Sequence, residues 1–193
     1  MQKQNRLIMS LREKFYQEIL PQLKSELNLK NDLRVPRPIK AIVQIGIGKM
    51  ITNHPEAKDK IIEDASYVLS MMTGQKPKIV TAKKSVAGFK LRKGMPIAVL
   101  VTLRRKRLLD FIERLLVYAL PRAKDFKGLT DDNFDRKGNI NLGLREVNIF
   151  PETISDKIKY SFGFSINLVA SGKTKEENLK LWEKLGFPLK IKK

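Results

Sequence analysis

Seven cationic side chains, Lys76, Lys78, Lys83, Lys84, Lys90, Arg92 and Lys93, fall within GQKPKIVTAKKSVAGFKLRKGMP at residues 74–96, which contains no Asp or Glu. Charge of one sign at this density calls for a polyanion. Within 83–94 the cations are interleaved with Ala87, Gly88, Phe89, Leu91 and Gly94. Glycine lets backbone approach a phosphate chain closely, and Lys and Arg neutralise it. Phe89 offers a ring either to stack on a base or to anchor the loop. The plainer alternative is a mobile hairpin tip that is basic for no further reason. A second basic run, Arg104, Arg105, Lys106 and Arg107, opens an expected helix. Cations there oppose the macrodipole, so either an anion balances them or the run is a solvated face.

Other chemistries are bounded by what the chain lacks. His54 is the only histidine, which excludes a paired-histidine acid–base site or a multi-histidine metal site. Its place before Pro55, at a helix start, suits a capping or surface role. With no Cys, disulfides, thiolate catalysis and Cys-ligated metal are excluded. GIGKM at 46–50 follows a strand, but Ile51 stands where a dinucleotide loop needs glycine and Met50 where a phosphate loop needs Ser or Thr. Asp131, Asp132 and Asp135 cluster in LTDDNFD. Such carboxylates can hold magnesium, but Lys127, Arg136 and Lys137 lie among them and favour a solvated turn.

The chain has 193 residues, 42% of them hydrophobic, with 39 Lys and Arg against 20 Asp and Glu, a net charge of +19. A foldable core inside so basic a shell repels itself unless a polyanion offsets it. Nucleic acid comes first, because each neutralised phosphate releases a counterion; an anionic membrane surface comes second. The N-terminus is charged and lacks a signal-peptide core. The longest apolar run, MPIAVLV, is far short of the ~20 residues that span a bilayer. A soluble, cytoplasmic protein is expected, with no cofactor and no small-molecule substrate.

These groups must be positioned by recognisable elements. Ile8, Leu11, Phe15, Ile19, Leu23 and Leu27 recur at helical spacing, predicting a helix over 6–28. Pro36 and Pro38 then force extended backbone. Ile39, Ala41, Val43, Ile45 and Ile47 alternate as in a strand. A helix is expected from about Pro55 to Thr73, with Ile61, Ala65, Val68, Leu69 and Met72 inward and Gly74 after its end. Strands KPKIVTA and MPIAVLVTL flank the basic segment. A helix over about 106–120 follows, stopped by Pro121, and then a polar stretch, 122–139. INLGLREVNIF and IKYSFGFSINLVA read as strands. A last helix starts near Thr174, with Glu177 placed for a capping box, and ends at Gly186. There is no internal repeat. The pattern gives an α+β fold, one sheet with helices packed on one face and the other face free.

The segment SMMTGQKPKIVTAKKSVAGFKLRKGMPI resembles a signature of the fifth large-subunit ribosomal protein family, bacterial type, the 5S-rRNA-binding proteins of the central protuberance. The likeness continues through VTLR, LPRAKDFKGL, FDRKGNINLGLRE, IFPE and LGFP, collinear over roughly residues 5–189. It implies an antiparallel-rich sheet with helices on one side and an RNA-binding opposite face, in one domain over 1–193. It implies a non-enzymatic protein of translation. The positions matching the family's 5S rRNA surface are Gln44, Gln75 and Thr102, with Arg37, Lys40 and Lys76 nearby. Residues Lys83, Lys84, Ser85, Phe89, Lys90, Arg92 and Lys93 match a loop that reaches the elbow of the P-site tRNA. Large-subunit rRNA and a small-subunit head protein are the further implied partners. The chain departs from the family at Gln44, where Asn is usual, at Arg105 and Arg136, where Gly is usual, and at Val147, where Gln is common.

Two readings from other classes stand beside this one. An RNA-processing enzyme would use Asp131, Asp132 and Asp135 with magnesium. A peripheral membrane module would use the apolar stripe of the N-terminal helix, although Glu13, Glu18 and Glu26 on its polar side argue for packing on the domain.

Overall fold

The computed structural model describes residues 9–124, 126–154 and 158–190. The expected start of the first helix, with Ile8, lies outside them. Five strands, β1 (Pro38–Gly46), β2 (Lys78–Thr81), β3 (Pro96–Arg104), β4 (Ile140–Leu144) and β5 (Phe164–Ala170), form one antiparallel sheet in the order β2-β3-β1-β5-β4. Alternate residues are buried: Ala41, Val43 and Ile45 on β1, Val99, Val101 and Leu103 on β3, and Phe164, Ile166, Leu168 and Ala170 on β5. The residues between them are exposed or half-buried, which gives the two-faced pattern of a sheet covered on one side. With its helices, this is the expected α+β architecture.

The chain divides into two compact units, one built from residues up to 41, 104–141 and from 167 on, the other from 42–103 and 142–166. In the first, helix α1 (11–26) packs its Phe15, Ile19 and Leu23 inward; each such burial is worth about 1.5–3 kcal/mol. That stripe is therefore used within the fold, against helices α4 (105–122) and α5 (Lys175–Leu185), and is not offered to a membrane. Among the described residues no helix is long and apolar enough to cross one.

Both α1 and α4 contain a proline that the sequence reading places at a helix end or passes over. Pro121 does not stop α4, which runs on to Arg122. Proline in a helix lacks a donor and its ring collides with the carbonyl four residues back. Each helix answers with a π turn just before its Leu–Pro step: Phe15–Ile19 before Pro21, where Leu20 N–H reaches Phe15 O, and Leu115–Ala119 before Pro121, where Leu120 N–H reaches Leu115 O. Ser10 and Glu13 cap the start of α1 reciprocally. In α5 the expected box forms only half: Thr174 Oγ1 accepts from Glu177 N–H, while the Glu177 carboxylate accepts from Lys173 N–H.

The 130–139 turn is clamped by α5. Asn178, fully buried, donates through Nδ2 to Lys137 O at 2.6 Å and accepts at Oδ1 from Gly172 N–H at 2.8 Å. Trp182, also fully buried, donates from Nε1 to Gly138 O at 2.8 Å. Gly138 has φ +77, and a Cβ there would lie 2.9 Å from Lys175 O, so only glycine fits. Arg136 causes no conflict, because the left-handed position of this turn is Gly138.

In the second unit, β1 leads into a short helix, α2 (Gly48–Asn53), where the sequence suggests only the flexible end of a strand. Helix α3 (Lys58–Thr73) follows a 3-10 turn at Pro55–Ala57 and buries Ile61, Ala65, Val68, Leu69 and Met72, as its spacing predicts. It packs on a 3-10 turn at Pro151–Thr153. The expected strand over 140–150 ends at Leu144, and two 3-10 turns replace its second half. The buried Thr153 hydroxyl lies 2.8 Å from both Val147 O and Phe150 O, its two alternative acceptors. Val147 faces the core, where a polar residue would need a partner of its own. The strand expected over 158–170 is β5 alone, from Phe164.

Candidate nucleic-acid interface

Helix α3 is closed by Gly74 in the left-handed conformation (φ +63), with Gly74 N–H bonded to Ser70 O and the buried Thr73 hydroxyl to Leu69 O. This reversal delivers Gln75 onto β3, where its Nε2 donates to Thr102 O at 3.3 Å. Two predicted site residues far apart in sequence thus become neighbours. Thr102 is half-buried on the side of β3 away from Val101 and Leu103, and Gln44 is exposed on β1 on the side away from Val43 and Ile45. Lys76 is exposed, as is Lys78, which stands opposite Leu100 on the neighbouring strand. This patch presents neutral amide and hydroxyl groups bordered by lysines.

Residues 83–94 form a closed structure. Ala82 N–H donates to Met95 O at 2.8 Å and Gly94 N–H to Ala82 O at 2.9 Å, making a neck. Further out, Val86 and Leu91 exchange two backbone bonds around a 3-10 turn at Ala87–Phe89. Lys90 takes a left-handed conformation (φ +52), and the Ser85 hydroxyl accepts from Lys93 N–H at 2.9 Å. Ser85 is thus a strut of the loop. Lys83, Lys84, Lys90, Arg92 and Lys93 are all exposed, and none takes part in an ion pair among the described residues. Their charge is left unmatched by that part of the fold.

Arg37 and Lys40 belong to the first unit. Arg37 exchanges bonds with Ser171, whose N–H donates to Arg37 O while its hydroxyl accepts from Arg37 N–H, and turns Nη2 back to Asp32 O at 3.0 Å. Its Nε is buried without a partner among the described residues. Part of this guanidinium is therefore engaged by its own chain, whereas Lys40 lies half-exposed on β1. The reading of the sequence overlooks Asn141 and Asn167, whose side chains join between β4 and β5 at 2.6 Å on the polar sides of those strands. Alternation within INLGL and SINLVA was the available signal.

Arg105 opens α4 with φ +52, a conformation suited to glycine, which explains why a glycine is natural there. The acidic cluster is occupied by protein donors. Asp131 pairs with Lys175 Nζ at 2.7 Å. The Asp135 carboxylate accepts from Lys137 N–H, Asn139 N–H and Asn139 Nδ2. Burial pushes the Asp135 carboxyl up, but those bonds outweigh it and hold it below the usual carboxylate range. No group of three or more His, Cys, Asp or Glu among the described residues is arranged to hold a metal, so the magnesium reading has no site in this cluster. His54 is exposed, with Nδ1 3.4 Å from Glu56 Oε1.

Comparison with known proteins agrees with this arrangement. The family model for ribosomal protein L5 matches residues 31–92, and the model for the C-terminus of the same ribosomal family matches residues 96–189. The chain is 46% identical over 180 residues to the large ribosomal subunit protein uL5 of Helicobacter hepaticus, covering 93% of this chain and 96% of that one. It is 45% identical over 186 residues to uL5 of Thermus thermophilus, covering 95% and 98%. It is 47% identical over 180 residues to uL5 of Caldanaerobacter subterraneus subsp. tengcongensis, covering 92% and 97%. The chain belongs to the ribosomal protein L5 (uL5) family: it is a structural, rRNA-binding protein of the large ribosomal subunit and not an enzyme.

Proposed function

From membership of that family we propose that the chain binds 5S rRNA through the β1–β3 patch and helps to attach it to the central protuberance. The basic loop 83–94 meets the elbow of the P-site tRNA, and other surfaces touch large-subunit rRNA and a small-subunit head protein. One observation carries this reading: a neutral pair, Gln75 on Thr102, is fixed by the fold beside a separate acid-free loop whose cations have no partner among the described residues. Neutral groups held in place suit recognition of RNA shape and its 2′-hydroxyls, whereas long cationic side chains on a closed loop suit phosphate contacts that form and break.

The two parts should fail differently. Gln75→Ala or Thr102→Ala is expected to cost roughly 1–3 kcal/mol of 5S rRNA affinity by leaving RNA groups unsatisfied, with the salt dependence unchanged. Filter binding of purified protein to 5S rRNA at several salt concentrations measures both. Wild-type affinity in both variants would remove these residues from the interface. Crosslinking in purified ribosomes, with the bound RNA sequenced, should give its main peak in 5S rRNA.

A further inference from the structure

Phe89 is 74% exposed, more than any other aromatic side chain described. A ring so uncovered does not anchor its loop, since the Val86–Leu91 bonds, the 3-10 turn and the Ser85 hydroxyl do that without it. The ring is nonetheless held on fixed backbone, between Gly88, where an added Cβ would meet nothing, and the left-handed Lys90. Around it in the loop lie Lys84, Lys90, Arg92 and Lys93 and no acid. We propose that Phe89 is a stacking platform for an unpaired nucleobase of RNA, the flanking cations neutralising the phosphates on either side of that base. The proposal rests on the RNA-binding reading above and adds a contact mode to it.

The chemistry selects this occupant. An apolar pocket on a protein would accept the ring but gives no reason for a fringe of cations without a single carboxylate. A base inside a duplex shows its edges in the grooves and no face. An unpaired base offers a π-face to the ring and a phosphate on each side to the lysines, the pairing used by single-strand-binding surfaces.

The test uses full-length protein and two RNA probes of equal phosphate number. One is a hairpin with an unpaired purine loop; the other is a duplex closed at both ends by non-nucleotide linkers. In the Phe89→Trp protein the added indole reports stacking, while buried Trp182, the only native Trp, gives a constant background. The hairpin should quench the added indole and the duplex should not. Phe89→Ala should weaken hairpin binding about tenfold, Phe89→Leu nearly as much, and neither should change duplex binding or the salt slope. Equal hairpin affinity in wild type and Phe89→Ala, full affinity in Phe89→Leu, or no binding of either probe at low salt would each overturn the platform. Binding of wild-type protein to 5S rRNA, measured alongside, judges the underlying reading separately. If 5S rRNA binds normally while hairpin binding ignores Phe89, the stacking contact alone is wrong.

Discussion

Residues 83–94 and 130–139 are polar loops of similar length, each with glycine and clustered Lys and Arg, and the fold treats them in opposite ways. In 130–139 the polar groups are consumed internally. Asp135 gathers three donors, Asp131 holds Lys175, and the backbone of Lys137 and Gly138 is gripped by buried Asn178 and Trp182. In 83–94 the backbone closes on itself through a few bonds, while the cations and Phe89 face outward, unmatched among the described residues. A charged loop whose charges are matched at home is part of the scaffold. One whose charges are not matched is a surface waiting for a partner.

The sharpest way to break this contrast is to attack the clamp. Asn178→Leu strands Lys137 O and Gly172 N–H without partners, and should cost about 4 kcal/mol of stability by urea unfolding. A loss below about 1 kcal/mol would mean that the 130–139 turn is not held as described. In the other loop, replacing Lys84, Lys90, Arg92 and Lys93 together by Gln should leave stability within about 0.5 kcal/mol. Ribosomes carrying that protein should release P-site tRNA about tenfold faster, the equivalent of ~1.4 kcal/mol, with 5S rRNA affinity nearly intact. A large loss of 5S rRNA binding with normal tRNA release would move the loop to the 5S surface.

A smaller effect separates fold from function within one residue. Lys90→Gly removes a left-handed lysine and should stabilise the isolated protein by about 1 kcal/mol, seen as a higher Tm, while weakening tRNA retention. If both fall together, the left-handed backbone is not the source of strain. The smallest effect concerns pH. The Asp135 carboxyl is held below its ordinary range, so its contribution is complete above that range and is lost as pH falls through its folded value. The Tm difference between wild type and Asp135→Asn should be full near pH 6 and close below about pH 4. A constant difference would mean that the charge is not what its donors favour.

The sequence announced the charge of both loops but not their fates, because the partners of 130–139 sit some forty residues downstream on α5. Elements governed by local pattern were legible: the stripe of α3, the alternation in β1 and β3, and the left-handed glycines at 74 and 186. Those decided by a competing rule were not. VNIF alternates like a strand, yet its polar backbone is satisfied in 3-10 turns and by the Thr153 hydroxyl. Pro121 has the chemistry of a stop, yet the preceding turn widens to pass it. At the interface, the pairing of Gln75 with Thr102 needed the reversal at Gly74, and the outward pose of Phe89 needed the whole loop.

The widened turns in α1 and α4 also set how these helices can change. Every apolar position beyond a π turn is counted from it, and each residue of helix advances the side-chain direction by roughly 100°. Deleting one residue from Phe15–Ile19 would restore ordinary bonding locally but rotate Leu23 out of the core by about that angle. The same holds for Leu120 behind Leu115–Ala119. The pair can absorb altered side chains more readily than altered lengths, because the two Leu–Pro steps fix the phase of everything downstream.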